Sequence, residues 1–132
     1  MPDEGFLDEL KKDPGLRHGK EEADFTVVGY GGTLDWPPPE VTYEDARQYA
    51  ESEYLALLKP WLLLSQNQAT GDGGSCYGDS GGPVFWEDED TGDETLVGIT
   101  SWGDTRCVAT GFNYRVDIPE TLNFIEDVIN SL

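Results

Sequence analysis

The stretch Gly-Asp-Ser-Gly-Gly-Pro, residues 78–83, decides how the rest of this chain is interpreted. A serine hydroxyl is a poor nucleophile until a base takes its proton and hydrogen-bond donors receive the oxyanion that forms. Glycines on both sides of Ser80 let the backbone turn tightly, so that amide hydrogens can converge near the hydroxyl. The alternative is a glycine-rich hairpin without chemistry, which a bare Gly-x-Ser-Gly would favour. The neighbouring segments decide against the hairpin.

The segment around Ser80 and three others resemble parts of one known family. Ser75–Val84 resembles the nucleophile segment of the chymotrypsin-like (trypsin family) serine proteases, and Leu96–Gly103 resembles their substrate-binding strand. Gly111–Val116 is similar to the segment that closes their specificity pocket, and Phe25–Gly31 to the strand that opens their second barrel. The resemblance therefore spans about residues 25–132.

Strand-sized segments rich in β-branched and aromatic residues recur with turn residues between them, which predicts a small antiparallel barrel. The resemblance implies an all-β fold, a six-stranded antiparallel Greek-key barrel with a C-terminal α-helix. Residues 1–24 are expected to be a charged lead-in or linker between barrels, with one short helix at Phe6–Lys11. Leu55–Leu58 could be a strand or a helical turn. The six predicted strands are Phe25–Tyr30, Arg47–Glu53, Trp61–Ser65, Pro83–Trp86, Thr95–Trp102 and Phe112–Val116.

The end of the chain has the signals of a helix. Asp117 can cap its start, and Glu120 three residues later can complete a capping box. Apolar residues then recur at three- and four-residue spacing, which places them on one face of the helix. These residues are Ile118, Leu122, Ile125, Ile129 and Leu132.

The resemblance also implies roles for the residues around the serine. Ser80 would be the catalytic nucleophile, and the backbone amides of Gly78 and Ser80 would form the oxyanion hole. Asp79 would be the carboxylate that pairs, in the family, with the amino terminus released on activation. Without such an amine, a buried Asp79 is costly. We therefore expect Asp79 to turn outward and to pull the amide of Gly78 out of place.

Substrate contacts follow from the same resemblance. Ser101, Trp102 and Gly103 would pair with the substrate backbone as an added antiparallel strand. Cys76 and Cys107 would form a disulfide that ties the nucleophile loop to the pocket wall. The remaining positions that would contact substrate are Gly74, Ser75, Tyr77 and Gly111.

The pocket residues suggest a cleavage preference but leave it open. Gly74 stands where enzymes that cut after lysine or arginine have an aspartate, and it offers no charge. Glycine at the two wall positions, 103 and 111, would leave the pocket open, which favours a large apolar or aromatic substrate residue. Against this, Asn113 replaces the family's usual tyrosine, and Asp72 or Asp104 could reach the pocket.

The base of the family's catalytic triad is missing from this sequence. The triad needs a histidine and an aspartate, which in the family lie on the first barrel. The only histidine is His18, within a charged segment that lacks the flanking residues of the catalytic one. His18 is therefore interpreted as a surface residue.

The composition restricts the classes of partner that this chain can bind. Twenty-seven acidic residues face eight basic ones, a net charge of −19. Such a chain repels nucleic acid and anionic lipid, which excludes both as partners. The charge is either a solvated face or an adaptation to high salt, where screening removes self-repulsion. No apolar run reaches the ~18 residues of a membrane helix, and no cluster of ligands implies a metal or an organic cofactor.

Taken together, the sequence predicts half of a secreted serine endopeptidase that acts on peptide or protein substrates. The start, Met-Pro-Asp-Glu at residues 1–4, lacks the basic and apolar stretches of a signal peptide, which favours a truncated fragment. One alternative is a non-catalytic, protease-like domain that binds peptides. The other is a half that is completed by a first barrel on a separate chain.

Overall fold

The computed structural model describes residues 1–12, 16, 25–35, 37 and 39–132. Strands account for most of the regular structure in these residues, with one helix at each end of the chain. A 3-10 helix, Gln68–Thr70, lies in the long loop after β6. In chain order the helices and strands are α1 (Phe6–Lys12), β1 (Phe25–Gly29), β2 (Thr33–Asp35), β3 (Glu40–Thr42), β4 (Gln48–Ser52), β5 (Tyr54–Leu57), β6 (Trp61–Ser65), β7 (Pro83–Glu87), β8 (Glu94–Gly103), β9 (Thr110–Arg115) and α2 (Pro119–Ser131).

Seven of the strands form one antiparallel sheet in the order β4-β1-β7-β8-β9-β6-β5, and β2 pairs with β3 in a separate ribbon. β4 and β5 lie at opposite ends of that order, although Glu53 alone separates them along the chain. The sheet is therefore curled, as in a chymotrypsin-like barrel. All six predicted strands are present within a few residues of their expected bounds. The open choice at Leu55–Leu58 is resolved as a strand, so the described sheet has seven strands and not six.

The core lies inside the curled sheet, and the two-residue alternation of the strands builds it. On β1, Phe25 and Val27 point inward and are buried. Val27 pairs with Val84 of β7, which is also fully buried. Leu62 and Leu64 contribute from β6 on the opposite side of the core. This packing fixes β7, and β7 directly follows the nucleophile loop.

The predicted N-terminal helix is confirmed and is docked on the barrel. The backbone N–H of Leu7 donates to the carboxylate of Asp117 at 2.8 Å, and Leu7 itself is fully buried. Asp8 forms an ion pair with Arg115. The ring of Phe6 packs edge-on against Trp86 with centroids 5.5 Å apart.

The predicted cap of the C-terminal helix is wrong. The N-cap of α2 is Ile118, which makes no side-chain capping bond, and Pro119 occupies the first turn. Asp117 does not cap because its carboxylate is buried against Arg115, which donates to both of its oxygens at 2.9 Å. The Oε1 of Glu120 lies 3.6 Å from the Nζ of Lys59, so Glu120 pairs with Lys59 and does not close a capping box.

α2 covers little of the barrel. None of its residues is buried, and Phe124 and Ile129 are 67% and 61% exposed. These two side chains are thus left uncovered by the described part of the chain, whereas Leu122 and Ile125 are half-buried. Among the same residues, no helix is long and apolar enough to cross a membrane.

Candidate functional site

The loop that carries Ser80 lies between β6 and β7 and is bonded to the end of β8. The N–H of Gly81 donates to the carbonyl of Thr100 at 2.8 Å, and the N–H of Thr100 donates to the carbonyl of Gly82 at 2.9 Å. Ser80 itself is exposed. Gly78 and Gly81 on either side have φ angles of +97° and +86°, a backbone region that residues with a side chain rarely adopt. The loop can therefore present the serine hydroxyl at the surface.

The carboxylate of Asp79 points inward. One oxygen accepts from the N–H of Gly31 at 2.7 Å, and the other accepts from the N–H of Cys76 at 2.9 Å. A Cβ on Gly31 would lie 2.4 Å from the carboxylate carbon, and one on Gly29 would lie 1.9 Å from its Oδ1. The two glycines form a cradle that a side chain would fill. The expectation that Asp79 turns outward is wrong, because two backbone amides satisfy its oxygens where an amine was thought necessary.

The amides of Gly78 and Ser80 are not engaged by any residue that the structure describes. Neither the N–H of Gly78 nor that of Ser80 donates a hydrogen bond to another described residue. The preceding residue, Tyr77, is anchored, since its carbonyl accepts from the N–H of Gly32 at 2.8 Å. An ideal Cβ on Gly78 would lie 3.2 Å from the Cα of Gly31, so this loop rests against the end of β1. The two amides remain available to a ligand.

The predicted disulfide is confirmed. Cys76 and Cys107 are bonded, with their Cα atoms 5.4 Å apart. The bond joins the nucleophile loop to the turn between β8 and β9. That turn is also held by Asp104, whose carboxylate accepts from four backbone amides, those of residues 106, 108, 109 and 110. Burial alone raises the pKa of Asp104, but these four hydrogen bonds outweigh it and hold the pKa below its ordinary value.

Removing this disulfide should destabilise the domain by about 3–4 kcal/mol, because the bond closes a loop over a sequence separation of 31 residues. The test is urea unfolding of the Cys76→Ser/Cys107→Ser variant beside the unaltered chain, followed by tryptophan fluorescence. The unaltered chain in a reducing agent is the matched control and should lose a similar amount. A loss below about 1 kcal/mol in both would show that the bond contributes little to the folded state.

β8 ends in an unpaired edge next to Ser80. Its pairing with β7 stops at Ile99, opposite Pro83, whereas its pairing with β9 continues to Gly103. Residues 101–103 therefore have no strand on their second side in the described part of the chain. Trp102 is half exposed and stacks on Phe112 with ring centroids 3.7 Å apart. This edge can accept an extended peptide as a further antiparallel strand.

A cavity of about 300 Å³ opens between this edge and the nucleophile loop. The structure brings most of the predicted substrate-contacting residues together around it. Gly74 and Gly111 are exceptions and do not line the cavity. The predicted site residues on its wall are Ser75, Tyr77, Gly78, Ser80, Ser101, Trp102 and Gly103.

The side chain of Gln66, which the sequence analysis did not single out, explains why Gly74 and Gly111 do not line the cavity. It is 2% exposed, and its Nε2 donates to the carbonyl of Ser75 at 2.6 Å. An ideal Cβ on Gly74 would lie 2.5 Å from this side chain, and one on Gly111 would lie 3.3 Å from it. The carboxamide thus occupies space that the sequence analysis assigned to an open pocket. A polar residue directly after the apolar strand β6 is the signal that could have drawn attention to it.

Three other residues were considered for the pocket. The carboxylate of Asp104 is engaged by the four turn amides, although the residue lies beside the cavity. Asp72 is buried and accepts from the hydroxyl of Thr70 at 2.9 Å. Asn113 is buried in the barrel, where its Nδ2 donates to the carbonyl of Leu62 at 3.3 Å. None of them brings a free negative charge to the cavity.

A wider groove of about 1000 Å³ lies on the other side of Ser80. It runs over the outer faces of β1 and β4, where Tyr30 and Tyr49 are strongly exposed. Ser80 thus stands between this groove and the smaller cavity. His18, the only histidine of the sequence, lies outside the described residues, so its place relative to Ser80 is not described.

The chain is similar in sequence to known proteins. The family model described as Trypsin matches residues 19–125. A "Trypsin-like protease" of Streptomyces glaucescens is 36% identical over 95 residues, which are 66% of this chain and 34% of that relative. The chain therefore spans about a third of the length of the curated relative. Because the family match extends over most of the 132 residues, this chain belongs to the trypsin family.

Proposed function

We propose that this chain is the nucleophile-bearing half of a serine endopeptidase, with Ser80 forming the acyl-enzyme. One observation carries the proposal. The exposed hydroxyl of Ser80 lies where the unpaired edge of β8, a side-chain cavity and two unused amides meet. A peptide on that edge would place a side chain in the cavity and its carbonyl next to Ser80.

The proposed reaction assigns one role to each part of this site. The hydroxyl oxygen of Ser80 attacks the peptide carbonyl, and its proton passes to a base. The N–H groups of Gly78 and Ser80 stabilise the oxyanion of the tetrahedral intermediate. Collapse of this intermediate expels the amine, to which the base returns the proton, and water then hydrolyses the ester on Ser80 by the same route. The inward carboxylate of Asp79 supports this assignment, because it ties the loop to Gly31 and so fixes the position of the two amides.

The base and its orienting carboxylate are proposed to come from a first barrel outside these 132 residues. In this proposal residues 25–132 form the second barrel of the family's fold, and residues 1–24 form the linker that precedes it. The groove beside Ser80 and the exposed apolar side chains of α2 supply surfaces that a first barrel could cover. Membership of the family further suggests a secreted enzyme that is made with a signal peptide.

A non-catalytic peptide-binding domain is the second candidate. The feature that favours it is the edge of β8 with its cavity, which is complete in the described residues without any base. A first barrel supplied by a separate chain is the third arrangement, and it leaves the role of Ser80 unchanged.

The test begins with the genomic DNA upstream of the codon for Met1. An in-frame stretch encoding a histidine-bearing barrel and a signal peptide is expected. The 132 residues expressed together with that stretch should hydrolyse casein, whereas the matched Ser80→Ala protein should not. A joined protein that folds and binds peptides but hydrolyses none would contradict the proposal and favour the peptide-binding domain.

A further inference from the structure

The backbone N–H groups of the nucleophile loop fall into two sets. Those of residues 79, 81 and 82 donate to backbone carbonyls of the fold at 2.8 to 3.1 Å. The two that alternate with them, those of Gly78 and Ser80, donate to no described residue. Both residues are exposed and lie on the wall of the cavity beside the edge of β8. The wall therefore carries two N–H donors, and the hydroxyl of Ser80 can act as a third.

The carboxylates near these donors are engaged elsewhere. Asp79 turns inward, where its oxygens accept from the N–H groups of Gly31 and Cys76 at 2.7 and 2.9 Å. Among the described residues on the cavity wall, Asp104 alone carries a charge at neutral pH, and four backbone amides satisfy it. Open N–H groups in a turn are a binding place for an anionic oxygen. The site thus lacks an acceptor of its own and suits one that arrives with a ligand.

The direction of β8 determines which end of a peptide reaches these donors. Thr100 exchanges two hydrogen bonds with the nucleophile loop, and residues 101–103 then lead away from the loop along β9. An antiparallel peptide on this edge runs the opposite way, towards Ser80. Its carboxyl end therefore arrives at the open N–H groups. An amino end would bring donors to donors, and only a peptide in the parallel direction would place it there.

We infer that this site binds peptides by their free carboxyl terminus, with the terminal carboxylate held by the N–H groups of Gly78 and Ser80 and by the hydroxyl of Ser80. The preceding residues of the peptide pair with residues 101–103, and its last side chain enters the cavity. This inference rests on the proposed function, because it takes the edge of β8 as the place where the peptide binds. It names a ligand other than the internal peptide segment that an endopeptidase cleaves.

The same ligand is the acid that hydrolysis of the ester on Ser80 would release. Water adds its oxygen to the acyl carbonyl, the bond to the Ser80 oxygen breaks, and the new carboxylate is left beside the two N–H groups. The completed enzyme should therefore retain this product and be inhibited by it.

One peptide with three different ends tests the inference on the 132-residue chain, without requiring catalysis. The peptide is N-acetylated Ala-Ala-Ala-Leu, made as the free acid and as the amide, and the third form is the amide with succinyl in place of acetyl. Each is titrated in about 0.15 M salt, where the Debye length is about 8 Å, so that the net charge of −19 is screened. NMR follows the amide resonances of residues 101–103.

The acid is expected to bind about tenfold more tightly than the amide, because hydrogen bonds to an ionised acceptor are the stronger ones. The succinylated amide carries the same charge at the wrong end of the peptide, and it should bind no better than the acetylated amide. Equal affinity of the acid and the acetylated amide would overturn the inference.

The resonances of the loop locate the carboxylate. With the acid, the N–H resonances of Gly78 and Ser80 should move downfield by more than those of residues 79, 81 and 82, whose N–H groups are already bonded inside the fold. With the amide, this difference should be much smaller. An acid that shifts residues 101–103 and leaves Gly78 and Ser80 unmoved would contradict the proposed position of the carboxylate.

Two variants with the same change of charge show whether the preference depends on the loop. Asp79→Asn puts an N–H donor where an oxygen now accepts from Gly31 or Cys76, so the loop should shift and the acid should bind within about twofold of the amide. Asp90→Asn changes an exposed residue between β7 and β8 and should leave the preference at about tenfold. A preference that survives Asp79→Asn would place the carboxylate elsewhere and overturn the inference.

The outcomes separate this inference from the proposed function. If no peptide shifts the resonances of residues 101–103, the edge of β8 is not a peptide site, and the proposed function fails with it. If the acid and the amide bind there equally, the peptide site stands and only the preference for a carboxyl terminus is wrong. Should Asp79→Asn fail to fold, the three peptides on the unaltered chain still decide.

Discussion

An organophosphonate probe should label Ser80 of the 132-residue chain about 10⁴–10⁶-fold more slowly than it labels an active serine protease. The hydroxyl reacts only when a base removes its proton, and among the described residues the hydroxyl of Ser80 has no hydrogen-bond partner. What remains is the contribution of the oxyanion hole and of binding. Intact mass spectrometry over a time course gives the labelling rate, and Ser80→Ala gives the background.

Rapid labelling would contradict this prediction and would mean that a base reaches Ser80. His18 and a partner chain are the two possible sources. Labelling that disappears in His18→Ala would identify His18, whereas labelling that persists would point to a partner. The same protein labelled after a first barrel is supplied gives the positive control.

Replacing Arg115 by methionine should destabilise the fold by about 3–5 kcal/mol, because it leaves a buried carboxylate without its counter-charge. Arg115 is 3% exposed and Asp117 is not exposed at all. The guanidinium donates to both oxygens of Asp117 at 2.9 Å, and its pKa is raised by this pair and by Asp8 against the opposing effect of desolvation. Urea unfolding followed by circular dichroism measures the loss.

Two variants define the control for this experiment. Lys59→Met removes an exposed pair, 3.6 Å from Glu120, and should cost less than about 1 kcal/mol. Arg115→Met/Asp117→Leu removes both buried charges and should recover part of the loss, though not all, since Asp117 also accepts from the N–H of Leu7. An Arg115→Met variant as stable as Lys59→Met would show that the buried pair is not needed.

Much of the sheet could be predicted because its strands carry local signals. Short runs of β-branched and aromatic residues next to glycine or proline locate β1, β7 and β8 without reference to the rest of the chain. The sequence of Leu55–Leu58 suits a strand and a helical turn equally, and only the pairing of β5 with β6 decides between them. The ribbon of β2 and β3 was missed because its three-residue strands are too short to give a pattern.

The cap predicted at Asp117 is wrong because, as at β5, contacts with distant parts of the chain decide the local structure. The capping box is a pattern of neighbouring residues. It does not show that the carboxylate of Asp117 is buried, or that it accepts hydrogen bonds from Arg115 and from Leu7 of α1. Within the site, the nucleophile loop around Ser80 could be predicted because its residues are contiguous in the sequence. The position of Gln66 could not be predicted, because its contacts with Ser75, Gly103 and Gly111 join three separate parts of the chain.

The glycine cradle of Asp79 has a consequence for how nucleophile loops of this kind are recognised in sequences. The carboxylate reaches the N–H of Gly31, 48 residues away, and a single methyl group at either cradle glycine would occupy its place. Closure of the nucleophile loop therefore depends on the two cradle glycines as well as on the hexapeptide around the serine. A genome search that scores the hexapeptide alone accepts chains whose loop cannot close. Requiring a glycine at both upstream positions would remove them before any protein is made.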